Sequence, residues 1–234
     1  MYTPATRLAD VIFDDFSMIP LLNRFGIRLG LGDSSIESIC TKHNIDTDFF
    51  LTILNTYASR SDSSLNQSLM DMDAEQTIRY LESTNTYYAS AALPNIERHF
   101  RALHERSMAS ANNLEFLWKF FQELKSELTS RIEFDNSVWF PALRKLLQNP
   151  ADGSLRKDMT KELAGLPADE NAIEDKVDDL TSFFIIHLRG EYDQNLCLAV
   201  VTSLMALEKD IKRNNRIRNL ILRPVTRAAL SAES

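Results

Sequence analysis

The sequence has few of the residues that interrupt helices or cross-link chains: its 234 residues include only 2 cysteines, 6 glycines and 7 prolines. Cys40 and Cys197 are too few and too far apart for a disulfide framework or a metal-ligand spacing, so we expect both to be packing residues. The sequence contains no apolar run of the roughly 20 residues that a membrane-spanning helix needs. Arg7, Asp10 and Asp14 lie where a signal peptide needs an apolar core, so we expect a cytoplasmic protein with no membrane partner.

Positive charge is also scarce, since 26 Lys and Arg stand against 33 Asp and Glu for a formal net charge of -7. We expect the basic residues in 209–227 to face the acidic residues in 169–179 across two antiparallel helices, which argues against nucleic acid as a partner. The sequence has no glycine-rich phosphate loop and no nucleophile in a glycine elbow. Nucleotide-binding and hydrolase sites are therefore not expected.

Two helix-start patterns occur in the first 58 residues. Ser34–Glu37 form a capping-box pattern that opens a helix over Ile36–His43, and Asp46 caps a second helix over Thr47–Tyr57. The residues that follow are rich in Ser and Asp and have no periodic apolar pattern, which is typical of a linker. We predict a small helical domain at residues 1–58 and a linker at 59–74.

Longer helical patterns follow the linker, because apolar residues recur there every three or four positions, the period of one helix face. The four stretches are Ile78–Ser107, Leu114–Val138, Ile173–Leu188 and Cys197–Ile221. Pro94 predicts a bend in the first stretch, and residues 149–167 form a longer connection. The predicted fold is all-α, with an up-and-down four-helix bundle at residues 75–234 after the N-terminal domain.

Polar residues interrupt the apolar face of two of these helices. Arg131 and Asp135 are spaced i, i+4 in one helix, and Asn214 and Arg218 are spaced i, i+4 in the other. The two segments form an internal repeat with a separation of 83 positions, from 135 to 218, and both end in proline. A buried ionised group costs several kcal/mol unless it is paired. These positions therefore indicate a site, a partnered network or a fraying helix end.

Each of these polar pairs is followed by an Asn and then by a short segment of mainly aliphatic and aromatic residues that ends in Pro. Such segments resemble the ligand segments of hemerythrin-like bundles. The whole chain resembles the iron-sulfur-cluster repair family, which has an ScdA-type N-terminal domain and a hemerythrin-like di-iron bundle. The likeness is carried by Ile27–Cys40 (IRLGLGDSSIESIC) and Tyr80–Ile96 (YLESTNTYYASAALPNI) and extends to Pro224. The resemblance implies non-haem iron as the cofactor and a setting of nitrosative or oxidative stress and iron homeostasis.

The residues that matter most to that family are substituted here. Gly30 and Leu31 match the family's Cys-Cys pair, so its thiol chemistry is not expected. The positions that match its metal ligands hold Asn85, Thr86, Ser107, Arg131, Asp135, Asp175, Asn214 and Arg218. Asp175 also lies off the inward face that Ile173 defines in its helix. Because a guanidinium is always protonated and cannot ligate a cation, we expect no di-iron centre and no cofactor.

We expect a hydrogen-bonded polar core in place of the metal. Its predicted members are Thr86, Ser107, Arg131, Asp135, Asn214 and Arg218, with Asp135 and one further acidic residue pairing with the two arginines. The alternative is that these side chains lie at a wet end of the bundle and are solvated. The polar core would hold the helices in register.

Three functions follow from the sequence. The first is a metal-free, noncatalytic, regulatory or protein-binding module with an unidentified protein partner. The second is a metal protein whose rearranged ligands come from His99, His104, Glu133, Asp135 and Asp175. The third is a structural protein that forms a homo-oligomer through apolar residues of the N-terminal domain, namely Ile19, Leu21, Leu22 and Leu29.

Overall fold

The computed structural model describes residues 1–58, 72–107, 113–166 and 171–231. Helices make up most of these residues, and no β-strand occurs among them; the one β-type contact there is an isolated bridge between Arg7 and Ser35. The all-α prediction is confirmed. None of the helices in these four ranges is long and apolar enough to cross a membrane.

Short helices form the first part of the chain. They are α1 (Leu8–Asp14), a 3₁₀ turn (Phe16–Met18), α2 (Ile19–Arg24), α3 (Ile36–His43) and α4 (Thr47–Ala58). Both helices begin at the predicted residues, Ile36 and Thr47, but the predicted capping box of Ser34 and Glu37 is shifted by one residue. Ser35 Oγ accepts from Ser38 N at 3.2 Å at the start of α3, and Asp46 Oδ1 accepts from Phe49 N at 2.8 Å at the start of α4. Each oxygen satisfies a backbone N–H that has no acceptor within its helix.

Longer helices form the rest of the chain. They are α5 (Ala74–Tyr87), α6 (Leu93–Arg106), α7 (Leu114–Phe134), α8 (Phe140–Gln148), α9 (Gly153–Glu162), α10 (Asn171–His187), α11 (Gln194–Ile217) and α12 (Arg223–Ser231). The predicted connection at 149–167 contains α9. Asp152 begins that helix by accepting from the backbone N–H groups of Ser154 and Leu155, so a helix cap lies within the predicted connection.

Three π-turns join consecutive long helices without a break. They are Tyr88–Ala92 between α5 and α6, Asp135–Trp139 between α7 and α8, and Arg218–Leu222 between α11 and α12. A proline follows at the sixth position after the first residue of each turn: Pro94, Pro141 and Pro224. A proline ring clashes with the carbonyl four residues earlier in an α-helix, and the wider π-turn relieves this clash. The bend predicted at Pro94 is thus a π-turn.

Contacts divide the described chain into two compact units. Unit 1 contains residues 1–84 and 220–225, and unit 2 contains residues 85–219 and 226–234. Most of the predicted linker, residues 59–71, lies outside the described residues, so the predicted domain boundary at 59–74 stays a prediction.

Four helices of unit 2 surround one apolar core. Helix α6 packs against α7 and α11, and α10 packs against the same two helices. The ring of Phe100 lies at the centre of this core, with ring centroids 5.6 Å from Phe121 and 5.2 Å from Phe184. Aromatic pairs at these distances add to the stability that burial of their area provides.

Neighbouring helices in this group run in opposite directions. The end of α6 meets the start of α7 where His104 Nε2 lies 2.8 Å from Glu115 Oε2. The end of α10 meets the start of α7 where Asn113 Nδ2 donates to the carbonyl of His187 at 2.9 Å. The opposite end of the four helices, where α7 and α11 finish, contains the polar residues described next.

Candidate functional site

Asp135 is fully buried in the π-turn that follows α7. Arg218 binds both of its carboxylate oxygens: Nη1 donates to Oδ2 at 2.6 Å and Nη2 donates to Oδ1 at 2.8 Å. Asn85 Nδ2 lies 3.2 Å from the same Oδ2. Arg218 is only 2% exposed, so the two opposite charges neutralise each other out of contact with bulk water.

An aromatic ring covers the guanidinium of Arg218. Its Cζ atom lies 4.7 Å from the ring centroid of Trp139, within the range of a cation–π interaction. The indole itself is held in place, because Trp139 Nε1 donates to Thr226 Oγ1 at 2.9 Å. Both Trp139 and Thr226 are buried. The charged pair is therefore covered by an indole ring whose N–H group has a hydrogen-bond acceptor of its own.

Asn214 forms the centre of a second buried group, one helical turn before Arg218. Its Nδ2 atom lies 3.0 Å from Tyr88 Oη, 2.8 Å from the carbonyl oxygen of Asp210 and 3.2 Å from Asp210 Oδ2. All three residues are at most 5% exposed. We use the name buried polar cluster for Asn85, Tyr88, Asp135, Asp210, Asn214 and Arg218.

Arg131 takes part in a further series of hydrogen bonds at the same end of the helices. Its Nη1 atom donates to Asn215 Oδ1 at 3.1 Å, and Asn215 Nδ2 donates to Glu174 Oε2 at 3.2 Å. These two hydrogen bonds connect α7, α11 and α10. The acidic start of α10 thus contacts the end of α11, as expected for two antiparallel helices, but this contact joins Glu174 to the neutral amide of Asn215 rather than to a basic residue.

Two residues predicted for the polar core lie elsewhere. The side chain of Thr86 is exposed, and the inward position on its helix is taken by Asn85. Ser107 is buried, but it follows the far end of α6, where its Oγ accepts from the backbone N–H of Asp193 at 3.4 Å. Helix α6 has 14 residues, so at ~1.5 Å per residue roughly 20 Å of helix separates Ser107 from the cluster.

Three members of the buried polar cluster, Asn85, Tyr88 and Asp210, were not predicted as site residues from the sequence. Asn85 was only matched to a family position, and Tyr88 was not considered because an uninterrupted helix would turn Ala89 inward instead. Asp210 is buried one turn before Asn214. The i, i+4 spacing of Asp210 and Asn214 is the signal that could have identified it.

The five residues considered as rearranged metal ligands are dispersed. Asp135 is bound to Arg218, His104 is bound to Glu115, and His99 is half-buried on α6. Glu133 and Asp175 are exposed. Within the described ranges, no three His, Cys, Asp or Glu side chains come together as metal ligands would.

The residues of the buried polar cluster do not fit a di-iron centre. Such a centre needs imidazole ligands and bridging carboxylates, whereas the cluster offers amides, a phenol, a guanidinium and the carboxylates of Asp135 and Asp210. Both oxygens of Asp135 are held by Arg218, whose fixed positive charge opposes a cation at the same place.

The two cysteines carry no sign of thiol chemistry. Burial raises the pKa of Cys40 above its ordinary value, and burial likewise raises the pKa of Cys197. Because the thiolate is the reactive form, a raised pKa makes both thiols less reactive at neutral pH.

The four apolar residues assigned to an oligomer interface differ in burial: two are buried and two are exposed. Leu21 and Leu22 are buried within unit 1, so their assignment to the surface was wrong. Ile19 is 37% exposed and Leu29 is 62% exposed. Two larger exposed residues, Phe13 and Phe16, precede Ile19 at intervals of three positions, at 84% and 79% exposure.

No protein-family model, no curated protein and no solved structure matches this chain. The resemblance to the iron-sulfur-cluster repair family therefore stays a prediction from the sequence segments given above.

Proposed function

We propose that the chain is a hemerythrin-like bundle protein, related to the iron-sulfur-cluster repair family, that works without a metal. It acts as a noncatalytic module that regulates or binds another protein, in the cytoplasm and in the setting of stress or iron homeostasis that the resemblance implies. The observation that carries this proposal is the bidentate pair of Asp135 and Arg218.

The pair supports the proposal because it occupies two positions that match metal ligands in the family. A metal site leaves its carboxylates free to bind a cation, whereas here both oxygens of Asp135 accept from a guanidinium. The cluster also bridges α7 and α11, as a metal between these helices would. We infer that the helical scaffold is kept for its surface and its stability rather than for chemistry at its centre.

Metal loading tests the proposal. The purified chain is incubated with ferrous iron with and without oxygen, desalted, and measured by elemental analysis and by its absorption spectrum. We expect less than about a tenth of an equivalent of iron and no oxo-bridge band, because the donor set is wrong for iron. About two equivalents of iron with such a band would overturn the proposal and favour the metal-protein alternative.

A second candidate function is self-association through unit 1. It is favoured by the exposure of Phe13, Phe16 and Leu29, since large apolar side chains in solvent are typical of interaction surfaces. Sedimentation across a range of concentrations is expected to detect a dimer that the double variant Phe13→Ser and Phe16→Ser abolishes. Phe116→Ser, at a 53% exposed position of unit 2, is the matched control and is expected to keep the dimer. A monomer at every concentration would remove this candidate.

A further inference from the structure

Unit 1 contains a cleft of about 330 Å³ that the sequence analysis did not anticipate. Its walls come from the end of α2, the turn between α3 and α4, and one face of α5. The lining residues are Arg24, Phe25, Asn44, Ile45, Asp46, Phe49, Gln76, Arg79, Tyr80 and Ser83. This volume lies at the small end of the range for small-molecule sites.

Two arginines reach this cleft from different helices. Arg24 is only 8% exposed, and its Nη1 atom donates to Tyr57 Oη at 2.5 Å and to Tyr80 Oη at 3.1 Å. Those bonds fix the position of its guanidinium. Arg79 is exposed, and its Nε atom donates to Glu75 Oε1 at 3.0 Å. An exposed ion pair of this kind contributes little to stability, so Arg79 can exchange Glu75 for another anion at small cost.

Flat aromatic rings form the apolar part of the cleft. Phe25 stacks on Tyr80 with ring centroids 5.6 Å apart and an interplanar angle of 27°. Phe49 meets Phe25 edge to face at 6.2 Å. The guanidinium of Arg24 lies beside one of these rings, with its Cζ atom 5.9 Å from the ring centroid of Tyr80.

One acidic side chain, Asp46, also lines the cleft. Its Oδ1 atom already accepts from the backbone N–H of Phe49, where it caps α4. The lining therefore carries two positive charges against one negative charge. Glu75, outside the lining, balances the charge of Arg79 while the two are paired, so the positive excess of the lining becomes available when an incoming anion replaces Glu75.

We propose that the cleft binds a small anion that carries a planar apolar group, of the type of an aromatic carboxylate or an aryl phosphate. The anionic group bonds to Arg79 and Arg24, which offer the guanidinium geometry that suits carboxylates and phosphates. The ring lies against Phe25 and Phe49. This binding is independent of the metal-free centre proposed for unit 2.

Titration of the full chain tests this site, with binding read by calorimetry and by NMR shifts of the cleft residues. The probes are phenyl phosphate and benzoate, with benzamide as a neutral ring and inorganic phosphate as an anion without a ring. We expect saturable binding of at least one of the two aromatic anions. Benzamide and inorganic phosphate are each expected to bind about tenfold more weakly, because each lacks one of the two recognised groups.

A matched pair of variants assigns the binding to the cleft. Arg79→Gln removes an exposed arginine that pairs with a glutamate four residues earlier, and Arg101→Gln removes an arginine in the same arrangement on α6 in unit 2. We expect Arg79→Gln to weaken aromatic-anion binding about fivefold or more and Arg101→Gln to leave it unchanged. Thermal unfolding of each variant verifies that the fold is intact.

Three results would overturn the proposal. The first is no saturable binding of either aromatic anion at millimolar concentration. The second is equal affinity of the native chain and Arg79→Gln, and the third is equal affinity for the charged and the neutral ring. Stronger binding of phenyl phosphate than of benzoate would identify the ligand class as a phosphate, and the reverse order would identify it as a carboxylate.

Discussion

The carboxylate of Asp135 and the guanidinium of Arg218 are both buried, so each compensates the charge of the other. Removing one partner of such a pair leaves an uncompensated buried charge. We expect Asp135→Ala to lower the free energy of unfolding by about 3–5 kcal/mol in urea denaturation. The double variant Asp135→Leu with Arg218→Met removes both charges. We expect its loss in free energy of unfolding to be smaller than the sum of the losses of the single variants Asp135→Leu and Arg218→Met.

An exposed acidic residue close in sequence provides the control for this prediction. Glu133→Ala changes a solvated side chain of α7, two residues before Asp135, and is expected to shift stability by no more than about 0.5 kcal/mol. A loss that small for Asp135→Ala would mean that solvent reaches the pair, which is the wet-end alternative.

At the scale of single residues, the sequence predicted the polar inward positions and a pairing of Asp135 with the two arginines, but not the detailed hydrogen bonds of that pairing. The i, i+4 spacing of Asn214 and Arg218 was informative because a helix brings such residues to one face. The bond from Arg218 to Asp135 spans 83 positions, so no local pattern could predict that one guanidinium binds both carboxylate oxygens. Asn85 reaches Asp135 across 50 positions, and its role was equally invisible to local patterns.

At the scale of helices, the 3.6-residue period predicted most of the buried face, including Asp135, Arg218 and Ile221, but it was wrong at one position within each of two π-turns. The pattern placed Ala89 and Val138 inward, whereas the structure buries Tyr88 and Trp139 completely. A π-turn adds one residue to a helical turn, so every side chain beyond it changes phase. The recurring proline six positions after the start of each turn was the available signal.

Charge also links neighbouring helices, and Glu97 of α6 gives a pH-dependent example. Lys125 of α7 donates to Glu97 Oε2 at 2.9 Å, and this hydrogen bond holds the pKa of Glu97 below its ordinary value. The folded chain therefore binds a proton at Glu97 less readily than the unfolded chain does. The resulting stability is complete above the unfolded pKa of about 4.3 and is lost as the pH falls through the lower folded pKa.

We expect Glu97→Gln to lower the free energy of unfolding at pH 7 by up to about 1 kcal/mol. The difference from the native chain should shrink as the pH falls below the unfolded pKa of about 4.3 and through the lower folded pKa, because the native glutamate then becomes protonated. Urea denaturation at several pH values measures this. Glu105→Gln, at an exposed position of the same helix, is the control, and a pH-independent effect of Glu97→Gln would contradict the prediction.

At the scale of the whole molecule, composition suggested where the N-terminal domain ends, but it could not show that a later segment of the chain joins the same unit. Residues 220–225 belong to unit 1 together with residues 1–84. Ile221 and Leu222 in this segment are at most 1% exposed, and Arg223 is 4% exposed. No local pattern can report that the end of the chain joins a unit formed mostly by its beginning.

This return predicts that unit 1 depends on the C-terminal segment. A chain shortened to end at Asn219 loses Ile221 and Leu222, whose burial stabilises unit 1. We expect the amides of α4 to exchange with deuterium about tenfold faster or more in that chain, because local opening becomes easier. A chain ending at Arg227 retains 220–225 and is expected to keep the native protection of α4.

A second control separates this effect from damage to unit 2, since the chain ending at Asn219 also lacks Thr226. Thr226→Ala in the full chain removes the hydrogen bond from Trp139 Nε1 while it leaves 220–225 in place. If unit 1 needs the returning segment, protection of α4 falls only in the chain ending at Asn219. Native protection of α4 in that chain would mean that residues 1–84 hold unit 1 together by themselves, and equal losses in both variants would mean that unit 1 responds to the stability of unit 2.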